Sequence, residues 1–399
     1  MREKNHGKIK GSISAFLFLV LILAGFAVSA QKAKALAAAE VTQVLLGKIP
    51  AAAVPAGFED QYNRCFSGKE ITLDLFSAVQ RAIGKHEARN FEVVRANDGT
   101  LYLQGSDEPA DREFIEKTAD EYAMIRTAVE EYGGKFLFVQ CPEKNENRPE
   151  ELRYYLKDNS AESENWLIQA MKDRGIPVLD LRDYDECKAM YKTDHHWTSE
   201  SAFHASSRIA GEINSIFSAE LPGPDVYGTM DNYEAVTYKN CFLGSIGIKV
   251  GPYFAGRDDF TVYIPRFDTS LTFRHYIGGE EDAEYAGDFR QAFIDEELLE
   301  NREYNNKYDA NMHGAYCESI IENRLAEKDC TGLLITHSFG RSMGQYLSLY
   351  FKELRYLDPQ RGRYNGNYIE YVKAYRPDIV ILMYNDLINV GDGAADRAV

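Results

Sequence analysis

The sequence predicts an α/β fold whose parallel sheet is covered by helices on both faces. Two observations carry this. Short runs such as Phe136-Leu137-Phe138-Val139, Leu333-Leu334-Ile335 and Ile379-Val380-Ile381-Leu382-Met383 are apolar at every position rather than at every second one. They also alternate along the chain with stretches of helical spacing. Strands of this kind are buried on both faces, as happens when crossover helices pack on each side of parallel strands. A third observation qualifies the pattern. Residues from about 221 to 311 are rich in Gly, Tyr, Phe and Asp and break the alternation, so they read as an insertion of irregular and β structure.

Arg2, Lys4, Lys8 and Lys10 precede an apolar run over residues 13–28. Positive charge before such a run keeps the N-terminus in the cytoplasm and sends the rest across the membrane. The run is short for a span of about 20 residues, and Val28-Ser29-Ala30 has the small residues of a cleavage site. Residues 1–31 are therefore a membrane anchor or a signal peptide, and both place the remainder outside the cytoplasm. Residues 32–95 read as a stalk and an N-terminal helical region, with a short amphipathic helix at 41–46 and helix over 58–84. The main domain spans 96–399. It opens with a turn at Asn97-Asp98-Gly99-Thr100 and a strand at 101–103. Helices are expected at 112–132, 150–156, 162–172, 200–216, 341–351 and 368–375. Strands are expected at 136–139, 176–181, 260–264, 333–335, 354–357 and 378–383.

Charge and cysteine usage exclude some functions. The net charge of −17 is unsuited to nucleic acid, because a polyanion needs a basic face. The six cysteines contain no CxxC pair, so neither a zinc site nor a dense disulfide framework is indicated.

The chemistry concentrates at Lys192-Thr193-Asp194-His195-His196-Trp197-Thr198, on a loop that opens the helix at 200–216. In an extended loop residues i and i+2 share a face. Asp194 and His196 would then point together and His195 away. A carboxylate orienting an imidazole makes up two members of a nucleophile-activating triad. Ser338 is the candidate third: the strand Leu333-Leu334-Ile335 runs through Thr336-His337 into Ser338-Phe339-Gly340 and a helix. That is the carboxyl edge of a parallel sheet, where ligands bind. A serine there is otherwise simply a helix cap. Asn385, ending the strand at 378–383, is a candidate oxyanion donor through its amide, with the backbone N–H of Phe339, Gly362 or Gly366 beside it. His337, Arg341, His195 and Trp197 are candidate pocket residues, and for Trp197 packing under the loop is the competing reading. Asp194, His195 and His196 could also ligate a metal, but no further Cys/His cluster accompanies them. The reading assigns no metal and no cofactor.

Together these pieces resemble the SGNH hydrolase superfamily, with a serine after one strand and an asparagine after another. An Asp-x-His ahead of the serine resembles its circularly permuted branch, which includes the alginate O-acetyltransferase-like proteins and the DHHW family of bacterial surface proteins. Tyr191-Lys192-Thr193-Asp194-His195-His196-Trp197-Thr198 is similar to the motif that names the DHHW family, and the resemblance covers most of residues 58–399. The chain departs from it at Thr336-His337-Ser338, where the superfamily has Gly-Asp-Ser, and at Met383-Tyr384-Asn385-Asp386, which lacks the glycine of Gly-x-Asn-Asp. The resemblance implies O-acyl transfer to, or removal from, an envelope or secreted polysaccharide. It implies as partners an acyl donor, a polysaccharide acceptor and a membrane-bound acyltransferase. The alternative is a catalytically silent binding or assembly protein of the cell envelope that keeps the fold.

Overall fold

In the computed structural model, residue 42 and residues 69–106, 108–277, 279–361 and 368–385 are described. The apolar run at 13–28, most of the stalk, Gly362 and Gly366 lie outside them. Among the described residues no helix is long and apolar enough to cross a membrane. The chain divides into two compact units, residues 1–82 and 83–399. In the first, helix α1 (Lys69–Ala82) falls within the stretch expected to be helical.

The second unit is organised around an eight-stranded sheet. Its parallel part is β4 (Lys135–Gln140), β5 (Val178–Asp180), β11 (Thr331–Thr336), β12 (Glu353–Leu357) and β13 (Ile379–Tyr384), in the order β5-β4-β13-β11-β12. Side chains alternate across it. Leu137, Val139, Leu334, Ile379, Ile381 and Met383 face one core with helices α4 (Ser199–Phe217) and α5 (Phe339–Leu347). Phe136, Phe138, Leu333, Ile335, Val380 and Leu382 face the other, with α2 (Arg112–Glu130), α3 (Ser160–Asp173) and α6 (Tyr368–Tyr375). Because every position meets a helix, the strands are apolar throughout.

The sheet is mixed, not wholly parallel as the sequence suggested. Beyond β12 it continues through β10 (Glu318–Asn323), β8 (Leu271–Ile277) and β9 (Glu280–Gly287), all pairing antiparallel. Two of these strands come from the stretch read as an insertion, so much of that stretch is part of the main sheet. They escaped notice for a physical reason. The outermost strand, β9, reads Glu-Glu-Asp-Ala-Glu-Tyr-Ala-Gly, and charges of this kind protect an exposed edge while erasing the apolar signature of a strand. The expected strand at 260–264 is β7 (Asp258–Pro265), paired with β6 (Tyr233–Phe242) in a separate hairpin. The expected helix at 150–156 is only a 3₁₀ turn, Glu150–Leu152, after Pro149. A small antiparallel sheet of β1 (Glu87–Ala88), β2 (Val93–Arg95) and β3 (Leu101–Leu103) carries the expected turn. There Gly99 adopts φ +93° and the Asp98 carboxylate accepts the Thr100 N–H at 2.9 Å.

Candidate active site

Ser338 stands where β11 ends and α5 begins, but its hydroxyl makes no capping bond to the helix. It lies 2.7 Å from His196 Nε2 instead. The helix start is packed against the strand end: a Cβ at Gly340 would fall 2.2 Å from Thr336 Cγ2 and 2.8 Å from the Tyr356 ring. The Phe339 N–H occupies the first helical position, where a backbone donor has no intrahelical acceptor.

The loop before α4 brings the other two groups. His196 Nδ1–H donates to Asp194 Oδ1 at 2.5 Å, and the His196 N–H donates to the same oxygen at 2.9 Å. The second oxygen, Oδ2, accepts the Ser245 N–H at 2.5 Å. Asp194 and His196 are 1% and 5% exposed. The segment Gly244-Ser245-Ile246-Gly247 closes over the carboxylate, and a Cβ at Gly244 would sit 2.2 Å from Asp194 Cβ, so only glycine fits there. The loop is also pinned from behind. Asp258 accepts the N–H groups of Lys192 and Thr193 at 2.9 and 2.8 Å and the Thr193 hydroxyl at 2.7 Å. Thr198 caps α4 through Ser201 N–H at 3.2 Å.

Electrostatics set the resting protonation. Burial alone would raise the Asp194 carboxyl, but the charge and hydrogen bond of His196, with His195 and the Ser245 N–H, hold it well below the usual carboxylate range. Burial, then the adjacent His195, pushes the His196 imidazole down from its ordinary value near 6.5. At neutral pH the pair is thus a carboxylate and a neutral imidazole whose Nε2 can accept the Ser338 proton. A pH dependence follows. The acid limb of turnover is expected below pH 6.5, measured as kcat/KM against pH, and a midpoint at or above 6.5 would contradict it. Stability shifts in the same sense. Below about pH 6.5 the unfolded chain binds a proton on this histidine that the folded chain refuses, so folding weakens as pH falls.

The described pocket residues divide into two groups. Ser338, His337, His195, Phe339 and Asn385 line one cleft of about 360 Å³. His195 does not turn away, as i, i+2 alternation suggested. Its ring lies 3.9 Å from that of His196, and its Nδ1 is 2.7 Å from Ser245 Oγ. The loop is a tight turn between the bridged residues Met190 and Trp197, not an extended segment. His337 Nε2 is in close hydrogen-bond contact with Asn385 Oδ1, which leaves the Asn385 NH₂ as the donor end of the amide. Trp197 and Arg341 do not line the cleft. Trp197 is fully buried and donates Nε1–H to Ser342 Oγ at 2.9 Å, fastening the histidine loop to α5. Arg341 is buried in an ion pair with Asp309 at 2.8 Å. Both are set by packing that adjacency in sequence does not reveal.

Besides Asp258, three contributors escaped sequence reasoning. Tyr308 stacks on His196, with centroids 3.8 Å apart, and its hydroxyl lies 3.0 Å from the Ser338 carbonyl and 2.8 Å from Ser342 Oγ. Ser245, like Tyr308, comes from the stretch read as an irregular insertion. Lys144 reaches the loop from beyond β4, and burial pulls its ammonium down to about 7. Its one sequence signal is its place just past an apolar strand, at the edge where sites gather.

Residues 93–234 match the family described as the SGNH hydrolase-like domain of acetyltransferase AlgX. That stretch holds Asp194 and His196 but not Ser338. No curated protein matches the chain by sequence. Among solved structures, Bacillus cereus PatB1 superposes with a TM-score of 0.59 at 18% identity, over 76% of this chain and 98% of that one. A DHHW family protein from Eubacterium siraeum superposes with a TM-score of 0.55 at 16% identity, over 76% and 92%. These two likenesses are of fold. Over residues 93–234 the sequence is thus similar to the SGNH hydrolase-like domain of acetyltransferase AlgX, and the chain shares its fold with PatB1 and the DHHW family protein.

Proposed function

We propose that this protein is a serine-dependent O-acyltransferase or acylesterase acting outside the cytoplasm on an envelope or secreted polysaccharide. One observation carries the reading: Ser338 Oγ lies 2.7 Å from His196 Nε2, while Nδ1 of that ring lies 2.5 Å from Asp194. In the first half-reaction His196 takes the Ser338 proton as Oγ bonds to the carbonyl carbon of an acyl donor. The resulting oxyanion is met by the Asn385 NH₂ and the Phe339 N–H. The intermediate expels the donor's oxygen, which leaves with the proton from His196. A sugar hydroxyl, or water, then gives its proton to His196 and attacks the acyl-serine. The second intermediate breaks its bond to Oγ, which takes the proton back from His196, so that Ser338 and the neutral imidazole are restored. Asp194 holds the imidazole tautomer and balances its transient charge. The family description names an acetyltransferase, which supports acetyl as the acyl group; the polysaccharide acceptor is part of the proposal. A membrane-bound acyltransferase as the source of the acyl group belongs to the same proposal.

PatB1 has been captured with a sulfonyl adduct. A sulfonyl fluoride should accordingly label this protein once, at Ser338, and abolish turnover of an aryl acetate. Labelling elsewhere, or unaltered turnover after labelling Ser338, would defeat the reading.

The location has its own test. The basic flank and the apolar run at 13–28 support the proposed location of the α/β unit outside the cytoplasm. Residues 32–399 alone should be soluble and folded, whereas the full chain should fractionate with membranes or be secreted in a shortened form. Aggregation of residues 32–399, with a full chain that needs no detergent, would move the run into the protein core.

A further inference from the structure

Lys144 begins a 3₁₀ turn, Lys144–Asn147, just past the carboxyl end of β4. Its residue is 8% exposed, and its ammonium donates to three backbone carbonyls: Tyr191 at 2.7 Å, Lys192 at 3.0 Å and Asp194 at 2.6 Å. All three N–H groups are used on one loop, the loop that carries Asp194 and His196. Among the described residues no carboxylate stands within ion-pair distance of it. A buried cation is costly and is kept only where other groups compensate. Here three carbonyl dipoles converge on it, and the carboxylates of Asp194, Asp258 and Asp98 favour its charge from beyond ion-pair distance.

The loop in turn depends on the lysine. Residues 191–194 form no helix or strand, so their carbonyls need donors from elsewhere. Thr193 O accepts the Gly247 N–H at 2.8 Å, and Lys192 O accepts the Leu101 N–H at 2.8 Å. The Asp194 carbonyl is served by the ammonium, and it lies two residues before the imidazole that meets Ser338. We propose that Lys144 is a positioning residue, an ammonium strut that fixes the Asp194–His196 loop in register with the nucleophile. The proposal rests on reading Ser338, His196 and Asp194 as one site. Misplacing a reacting group by about 1 Å can cost on the order of 10²-fold in rate.

The test is Lys144→Met, which keeps an apolar stem of similar length and removes the donors. Expected is a loss of about 10²-fold in kcat for an aryl acetate, with KM within about threefold of the parent. Amide exchange should accelerate in the segment 189–198 and stay unchanged elsewhere. A kcat within threefold of the parent, a loss confined to KM, unaltered exchange in 189–198, or acceleration across the whole chain would each overturn it. The last would make Lys144 a residue of global stability alone. Should Lys144→Met not fold, Lys144→Gln carries the same readouts. If the parent protein turns over no ester, the enzymatic reading fails by itself. The exchange of 189–198 then still decides whether Lys144 holds the loop.

Discussion

Ser338→Ala is expected to lower ester turnover by about 10⁴- to 10⁶-fold, and His196→Ala by as much. The two side chains share one hydrogen bond of 2.7 Å, and removing either leaves the other without a partner in the reaction. The double variant should therefore lose little more than each single one, because members of such a unit are strongly non-additive. His195→Ala is the internal comparison. Its ring packs on His196 and its Nδ1 meets Ser245 Oγ, but it does not touch Ser338. It should cost far less than His196→Ala, at most about 10²-fold, the order expected for a displaced neighbour rather than a missing base. Turnover should be followed with an aryl acetate, and folding by thermal unfolding of each variant. If parent and Ser338→Ala show equal turnover, or none on any acyl donor, the protein is the silent scaffold. Equal losses at His195 and His196 would show that the wrong imidazole has been assigned as base.

Asp194→Asn is expected to cost on the order of 10⁴-fold in kcat with the fold retained, because an amide can turn its NH₂ toward the imidazole and favour the wrong tautomer. Here the expectation has a local basis. The carboxylate accepts three N–H groups, from the His196 ring, the His196 backbone and Ser245. An amide oxygen can replace only part of that acceptance, so one buried donor must go unmet or face another donor. Unsatisfied buried donors cost about 1–3 kcal/mol each, so a modest fall in melting temperature should accompany the kinetic loss. A kcat within tenfold of the parent would show that His196 needs no carboxylate to orient it.

Much of the parallel layer was legible in the sequence because its signal is local. Runs such as Leu333-Leu334-Ile335 and Ile379-Val380-Ile381-Leu382-Met383 are apolar at every position, and only a doubly covered strand tolerates that. The antiparallel extension was not legible. β9 has no buried position and carries four acidic residues instead of a strand pattern, while the mostly buried β8 is interrupted by Arg274 and His275. The expected helix at 150–156 is cut short to the 3₁₀ turn Glu150–Leu152, although its local spacing was adequate.

For the site, the sequence determined the chemistry. It placed an acid and an imidazole two residues apart, a serine after an apolar strand and an asparagine after another, each type suited to its role by charge and hydrogen-bonding capacity alone. Only the tertiary structure decided their geometry. His195 faces the cleft because Met190 and Trp197 pair and close the loop into a turn. Trp197 became a strut and Arg341 half of an ion pair because both meet partners from distant elements. Lys144, Ser245, Asp258 and Tyr308 hold the loop through contacts spanning from 47 to 112 residues of sequence. Backbone carbonyls, stacking faces and the space left by Gly244 are shared by many residue types. They become specific only when folding brings their partners within reach.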